Sequence, residues 1–246
     1  MELDAIAFDA DDTLWHTERF YKETEQSWLS RLAAYDVSPE EALDNLHRIE
    51  IDNLAYFGYG IRGFTFSMIE AAIRTTGNRL RAEDVQAIIE LGRRMTSHEI
   101  HLMEGVEEAL DRLGERRLML ITKGDTLDQM SKLRRSGLEK HFSVVEVVID
   151  KTEQIYAHLL EQHAIDPKRF LMVGNSLRSD ITPILALGSY AVYVPYALGW
   201  AHEAEAETPD DRERFFEIAS LFELPGLIEK IETNGKVNFS QSRKGR

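Results

Sequence analysis

Five short apolar runs, each closed by a polar residue or a breaker, constrain the fold most. They are AIAF (5–8), LMLIT (118–122), VVEVVI (144–149), FLMVG (170–174) and YAVYVP (190–195). Runs of this length, apolar on both alternations, suit strands buried on both faces, as in parallel sheets covered by helices. Amphipathic stretches at 104–114, 125–136, 152–163 and 179–187 separate the later runs. The second half therefore reads as alternating strand and helix in a doubly wound α/β sheet. In that architecture ligands gather at the carboxyl ends of the strands.

The first half interrupts this rhythm. After Trp15 about 100 residues pass before the next strand signal, and most of their apolar positions recur at helical spacing, as in Phe20, Trp28, Leu29 and Leu32. Helices are predicted at 17–34, 39–51, 63–76 and 82–98, the second opened by Pro39 and two acids. The reading is an all-α domain over 15–103 inserted into a Rossmann-like core of 1–14 and 104–235, followed by a solvated tail at 236–246.

With 43% hydrophobic and 29% charged residues, a chain of 246 residues can bury a core of its own. It has no cysteine, which excludes disulfides and thiolate metal sites. A net charge of −14 disfavours nucleic acid and anionic membranes as partners, so an anionic substrate needs dedicated local cations. No apolar run approaches the roughly 20 residues of a membrane span. The start MELDAIAFDADD lacks a basic flank or a small-residue cleavage site, and a cytoplasmic protein is the expectation.

Chemistry-bearing residues stand where the strands end: Asp9 and Asp11 after the first, Thr122 at the second, Lys151 after the third, Asn175 and Asp180 after the fourth. Three carboxylates among residues 9–12 are unfavourable at a strand end unless cations compensate them. Two acids, a hydroxyl, a lysine and further oxygen ligands form a coherent set for phosphoryl transfer. Each residue also has a plainer reading. Asp9 and Asp11 would suit a solvated acidic turn, Thr122 a strand-end cap, Lys151 a solvated helix start, and Asp180 the cap of a helix over 181–187.

The motifs DADDT (9–13), LITKG (120–124), Lys151 and VGNSLRSD (173–180) together resemble the haloacid dehalogenase-like superfamily, and the resemblance spans the whole chain. It implies a helical cap between the first and second motifs. It also implies Asp9 as nucleophile forming an aspartyl-phosphate, and Asp11 as general acid and then base. Thr122 and Lys151 would bind the phosphate. Mg²⁺ would be held by Asp9, Asn175, Asp180 and the backbone carbonyl of Asp11. Two positions depart from the pattern: Asn175 stands where aspartate is more usual, and Lys123 where asparagine commonly follows the threonine.

Within the helical insertion, NLAYFGYGIRGF (53–64) reads as a flexible aromatic loop suited to gripping a leaving group, or as packing. Arg62 and Lys123 are the candidate cations for substrate. The leading reading is a Mg²⁺-dependent phosphatase acting on a small phosphorylated metabolite. A haloacid dehalogenase needs no acid at the Asp11 position, since halide leaves without a proton. A phosphonatase uses a cap lysine, and the insertion from 16 to 100 holds only Lys22. A phosphomutase stays open on the same scaffold. A noncatalytic phospho-acceptor of the receiver type is about half this length and carries its acceptor on a later strand.

Overall fold

The computed structural model describes residues 2–198, 208–211 and 213–242. The chain forms two compact units, one of 1–16, 101–122 and 133–246, the other of 17–100 and 123–132. The insertion expected over 15–103 corresponds to 17–100 of the second unit, which also takes in 123–132.

The first unit is built on a six-stranded sheet of β1 (Ala5–Phe8), β2 (Leu118–Lys123), β3 (Val144–Val148), β4 (Phe170–Gly174), β5 (Tyr190–Tyr193) and β6 (Phe215–Glu217). The spatial order is β3-β2-β1-β4-β5-β6, and the β1–β2, β1–β4, β4–β5 and β5–β6 pairings are parallel. Five strands fall on the apolar runs. The sixth has three residues at a sheet edge, too short to carry a periodic signal.

Ala5, Ala7, Met119, Ile121, Phe170 and Met172 pack with Tyr156 and Leu160 of α7 (Glu153–Gln162) and Ile184 of α8 (Thr182–Ala186). The alternate residues Ile6, Phe8, Leu118, Leu120, Leu171 and Val173 are equally buried, as the uninterrupted apolar runs require. The order reverses beside β1, so the carboxyl ends of β1 and β4 lie at the switch point where such sheets bind ligands.

The second unit contains α1 (Glu18–Leu32), α2 (Pro39–Phe57), α3 (Ile61–Thr75) and α4 (Ala82–Ser97) around Trp28, Leu46, Ile49, Phe64, Met68 and Ile88. Ser38 caps α2 by accepting the Glu41 N–H, with Pro39 at the first helical position. Residues 53–64 are not the loop expected from sequence. Asn53 Nδ2 donates to Ser67 Oγ and Glu70 Oε2, both 3.1 Å, which holds α2 in helix to Phe57. Only Gly58–Gly60 turn, Gly58 at φ 67° with its N–H on Leu54 O. Phe64 joins the core while Tyr56 is exposed.

The remaining helices are α5 (Val106–Leu113), α6 (Thr126–Arg135) and α9 (Leu224–Ser242). Helix α9 continues over 236–242, where the sequence reading expected a frayed tail, and 243–246 lie outside the described residues.

Candidate active site

Strand β1 ends in a tight turn that aims its acids. The Asp9 N–H extends the ladder to Val173 O, 2.9 Å, and the Thr13 and Leu14 N–H groups fold back onto Ala10 O. Asp12 takes the left-handed conformation, φ 60°, which aspartate tolerates better than most residues. The turn closes when the Asp12 N–H donates to Trp15 O at 2.8 Å. Asp11 then receives the indole N–H of fully buried Trp15 on Oδ1 at 2.8 Å.

Lys151, just beyond β3, reaches across the sheet. Its Nζ donates to Asp9 Oδ1 and, at 2.6 Å, to Asp180 Oδ1, all three side chains being buried. Burial works against the lysine charge, but Asp180 and Asp9 hold its pKa above the ordinary lysine value. Burial pushes Asp9 up to about 7; Lys151 opposes the shift, while Asp180 and Asp11 add to it.

Asp180 is fixed from its own segment. Ser176 Oγ accepts the Ser179 N–H at the start of a π-helical turn over Leu177–Ile181, and the Ser176 N–H donates to Asp180 Oδ2 at 3.0 Å. Ser176, rather than Asp180, is the cap. The Asp180 carboxylate is thereby turned toward Lys151.

Asn175 is drawn in through Thr13, whose hydroxyl lies 3.1 Å from Asp9 Oδ2 and 3.2 Å from Asn175 Oδ1. A hydroxyl has one proton, so it satisfies one of these acceptors at a time. Two buried carboxylates with one lysine leave the cluster short of positive charge. Asp9, Asp180 and Asn175 offer hard oxygen donors, and this donor set and charge deficit fit Mg²⁺, which usually keeps several waters. Among the described residues no group of three His, Cys, Asp or Glu side chains is placed to hold a metal. The set is two carboxylates plus an amide, and the Asp11 carboxylate is turned to Trp15.

Thr122 is buried at the carboxyl end of β2, on the strand next to β1, with Phe8 in register with Leu120. Lys123 and Arg62 belong to the helical unit and have partners there. Lys123 Nζ lies 4.4 Å from the centre of the Tyr59 ring, and Arg62 pairs with Asp125.

Thr13, Trp15, Gly174 and Ser176 carry no motif signal of their own. Thr13 and Trp15 lie four residues after Asp9 and Asp11, and a hydroxyl or N–H donor so close behind an acid was the available signal. Gly174 is required because a Cβ there would lie 2.3 Å from Asp180 Cγ. No local spacing announces that contact, since it depends on the chain turning back at Ser176.

A family model described as haloacid dehalogenase-like hydrolase matches residues 3–188. A crystal structure of a haloacid dehalogenase-like family hydrolase from Xanthomonas campestris superposes with a TM-score of 0.84 at 34% identity, covering 96% of this chain and 94% of that one. The pyrimidine 5'-nucleotidase YjjG of Escherichia coli is 23% identical over 238 residues, covering 94% of this chain and 100% of that protein. The glyceraldehyde 3-phosphate phosphatase of Methanothermobacter thermautotrophicus is 26% identical over 219 residues, with coverage of 83% and 91%.

Proposed function

The chain belongs to the haloacid dehalogenase-like hydrolase family, and we propose that within it this protein is a Mg²⁺-dependent phosphomonoesterase acting on a small phosphorylated metabolite. The observation that carries the reading is a second acid, Asp11, two residues beyond Asp9 and oriented by its own hydrogen bond. Displacing halide calls for no such acid; expelling an alkoxide does. Relatives named as a nucleotidase and a phosphatase support the same choice.

Asp9 attacks phosphorus through a carboxylate oxygen while Asp11 gives its proton to the leaving oxygen, so the P–O bond to the alcohol breaks as the aspartyl-phosphate forms. Water then attacks the same phosphorus, Asp11 takes a proton from it, and the bond to Asp9 breaks to release phosphate. Lys151 keeps Asp9 aligned and offsets negative charge on the phosphoryl oxygens, and Thr122 donates to one of them. Asp9, Asp180, Asn175 and the Asp11 carbonyl would hold Mg²⁺, which when bound supplies the further positive charge that an anionic nucleophile and an anionic phosphate require. Lys123 and Arg62 remain the candidate cations for substrate, and within the helical unit Lys123 lies over the Tyr59 ring and Arg62 pairs with Asp125.

The test is hydrolysis of p-nitrophenyl phosphate with and without Mg²⁺. Asp9→Asn is expected to lower kcat by about a thousandfold or more, since an amide cannot replace the carboxylate as nucleophile. Near-normal turnover in that variant, or turnover indifferent to chelation, would overturn the reading.

A further inference from the structure

We propose that Trp15 is a positioning residue for the general acid: its indole N–H holds one oxygen of Asp11 so that the other carries the transferred proton. The inference rests on the phosphomonoesterase reading and deepens it: Trp15 touches no reacting atom, and its part is to set which Asp11 oxygen carries the proton. Trp15 Nε1 lies 2.8 Å from Asp11 Oδ1, and the ring is completely buried.

An indole N–H donates and never accepts. Oδ1 is therefore an acceptor in both states of Asp11, which biases the acid's O–H, and the proton that moves, to Oδ2. A hydroxyl or water in the same place could either donate to Oδ1 or accept a proton from it. The indole can only donate, so it fixes the roles of the two oxygens as well as the rotamer.

The donor itself is anchored. The Trp15 carbonyl accepts the Asp12 N–H at 2.8 Å, and its N–H lies 3.4 Å from Ala10 O. Residue 15 also bridges Leu102, flanked by hydrogen bonds of 2.9 Å from the Met103 N–H to Leu14 O and from the His16 N–H to His101 O. Two stretches 85 or more residues apart thus brace the ring that orients Asp11. The acid is set by the crossing where the chain leaves the sheet unit and returns to it.

The discriminating measurement is the first-turnover rate of leaving-group release, at saturating Mg²⁺, for an alkyl phosphate and for p-nitrophenyl phosphate. Trp15→Phe removes the donor but keeps an aromatic ring. Replacing the indole by benzothiophene through β-(3-benzothienyl)alanine removes the N–H with almost no change of shape. Both are expected to slow release of the alkyl alcohol by about tenfold to a hundredfold while KM stays within about twofold. Nitrophenolate, which leaves without a proton, should slow by less than about threefold.

An equal loss on both substrates, a loss confined to KM, or full activity of the benzothienyl variant would overturn the positioning role. If Trp15→Phe fails to fold, the benzothienyl variant decides alone. Failure of the wild-type protein to release either leaving group would count against the phosphomonoesterase reading instead.

Discussion

Lys151 in the sheet unit and Lys22 in the helical unit each reach two carboxylates, but by different means. Lys151 meets Asp9 and Asp180 from 142 and 29 residues away, through three strand ends, with its side chain 1% exposed. Lys22 meets Glu18 at 3.6 Å and Glu25 at 3.2 Å on the same helix, with its side chain 44% exposed. Helical geometry makes the second arrangement almost automatic at these spacings. The first exists only because the sheet assembles, and it keeps two acids and a lysine out of water where only mutual contact and further charge can stabilise them. The buried, long-range charge of Lys151 marks the candidate site, whereas the Lys22 pairs at helical spacing mark a solvated face that has partly closed over.

Lys151→Met should separate the two regions most strongly. It removes the cation from Asp9 and Asp180, and kcat/KM is expected to fall by about a hundredfold to a thousandfold. Breaking a buried pair by deleting one partner costs about 3–5 kcal/mol, so the metal-free variant should also unfold several degrees below the wild type at pH 8. A variant as stable as the parent would show that the acids do not depend on the lysine.

The contrast also explains what the sequence could reveal. Asp9, Lys151 and Asp180 were legible because each follows an apolar run, and a parallel sheet brings such ends to one edge. The residues that place Asp180 are not legible in the same way: Gly174 and Ser176 matter only once the chain has turned back to bring Asp180 in. The sequence pattern ends α2 at residue 51, six short of Phe57, because aromatic residues and glycines at 56–60 mimic a loop, while the contacts of Asn53 that hold it helical come from α3. Strand β6 gave no signal because three residues cannot show a period.

The helical cluster extends beyond Lys22, and its pH dependence sharpens the comparison. Glu25 accepts from Lys22 and from His47 Nε2 at 3.1 Å, and Glu50, also on α2, faces the same group. Burial holds Glu50 up at about 7 from an ordinary 4.5, with Glu25 adding to the shift and His47 and Lys22 opposing it. A raised folded-state value means stability that is full below 4.5 and lost as pH rises through about 7. His47 is raised as well, chiefly by its hydrogen bond to Glu25, and loses stability in the same direction. Glu25 is lowered, so its contribution is lost only as pH falls through its folded-state value, below the ordinary carboxylate one. Glu50→Gln should therefore unfold later than the wild type at pH 8 by the equivalent of about 1–3 kcal/mol, the gap closing toward pH 5. Comparing the two proteins at each pH cancels the parallel shift on Asp9. A gap that does not change with pH would mean that Glu50 stays ionised in the folded protein.

Lys22→Met should have the smallest effect. The Lys22 pairs are local and the lysine is nearly half exposed, the situation in which such contacts contribute about 0–1 kcal/mol. His47 remains against Glu25 when Lys22 is gone, so the buried acid keeps a donor. Unfolding at pH 7 should move by no more than about two degrees, and 0.5 M salt should shrink even that difference, because exposed pairs are screened. Lys22 also draws the Glu50 pKa down, so its removal should push Glu50 further up and steepen the loss of stability between pH 6 and 8. A salt-insensitive loss as large as that from Lys151→Met would break the distinction, since it would require Lys22 to be held in a low-dielectric setting that its exposure denies.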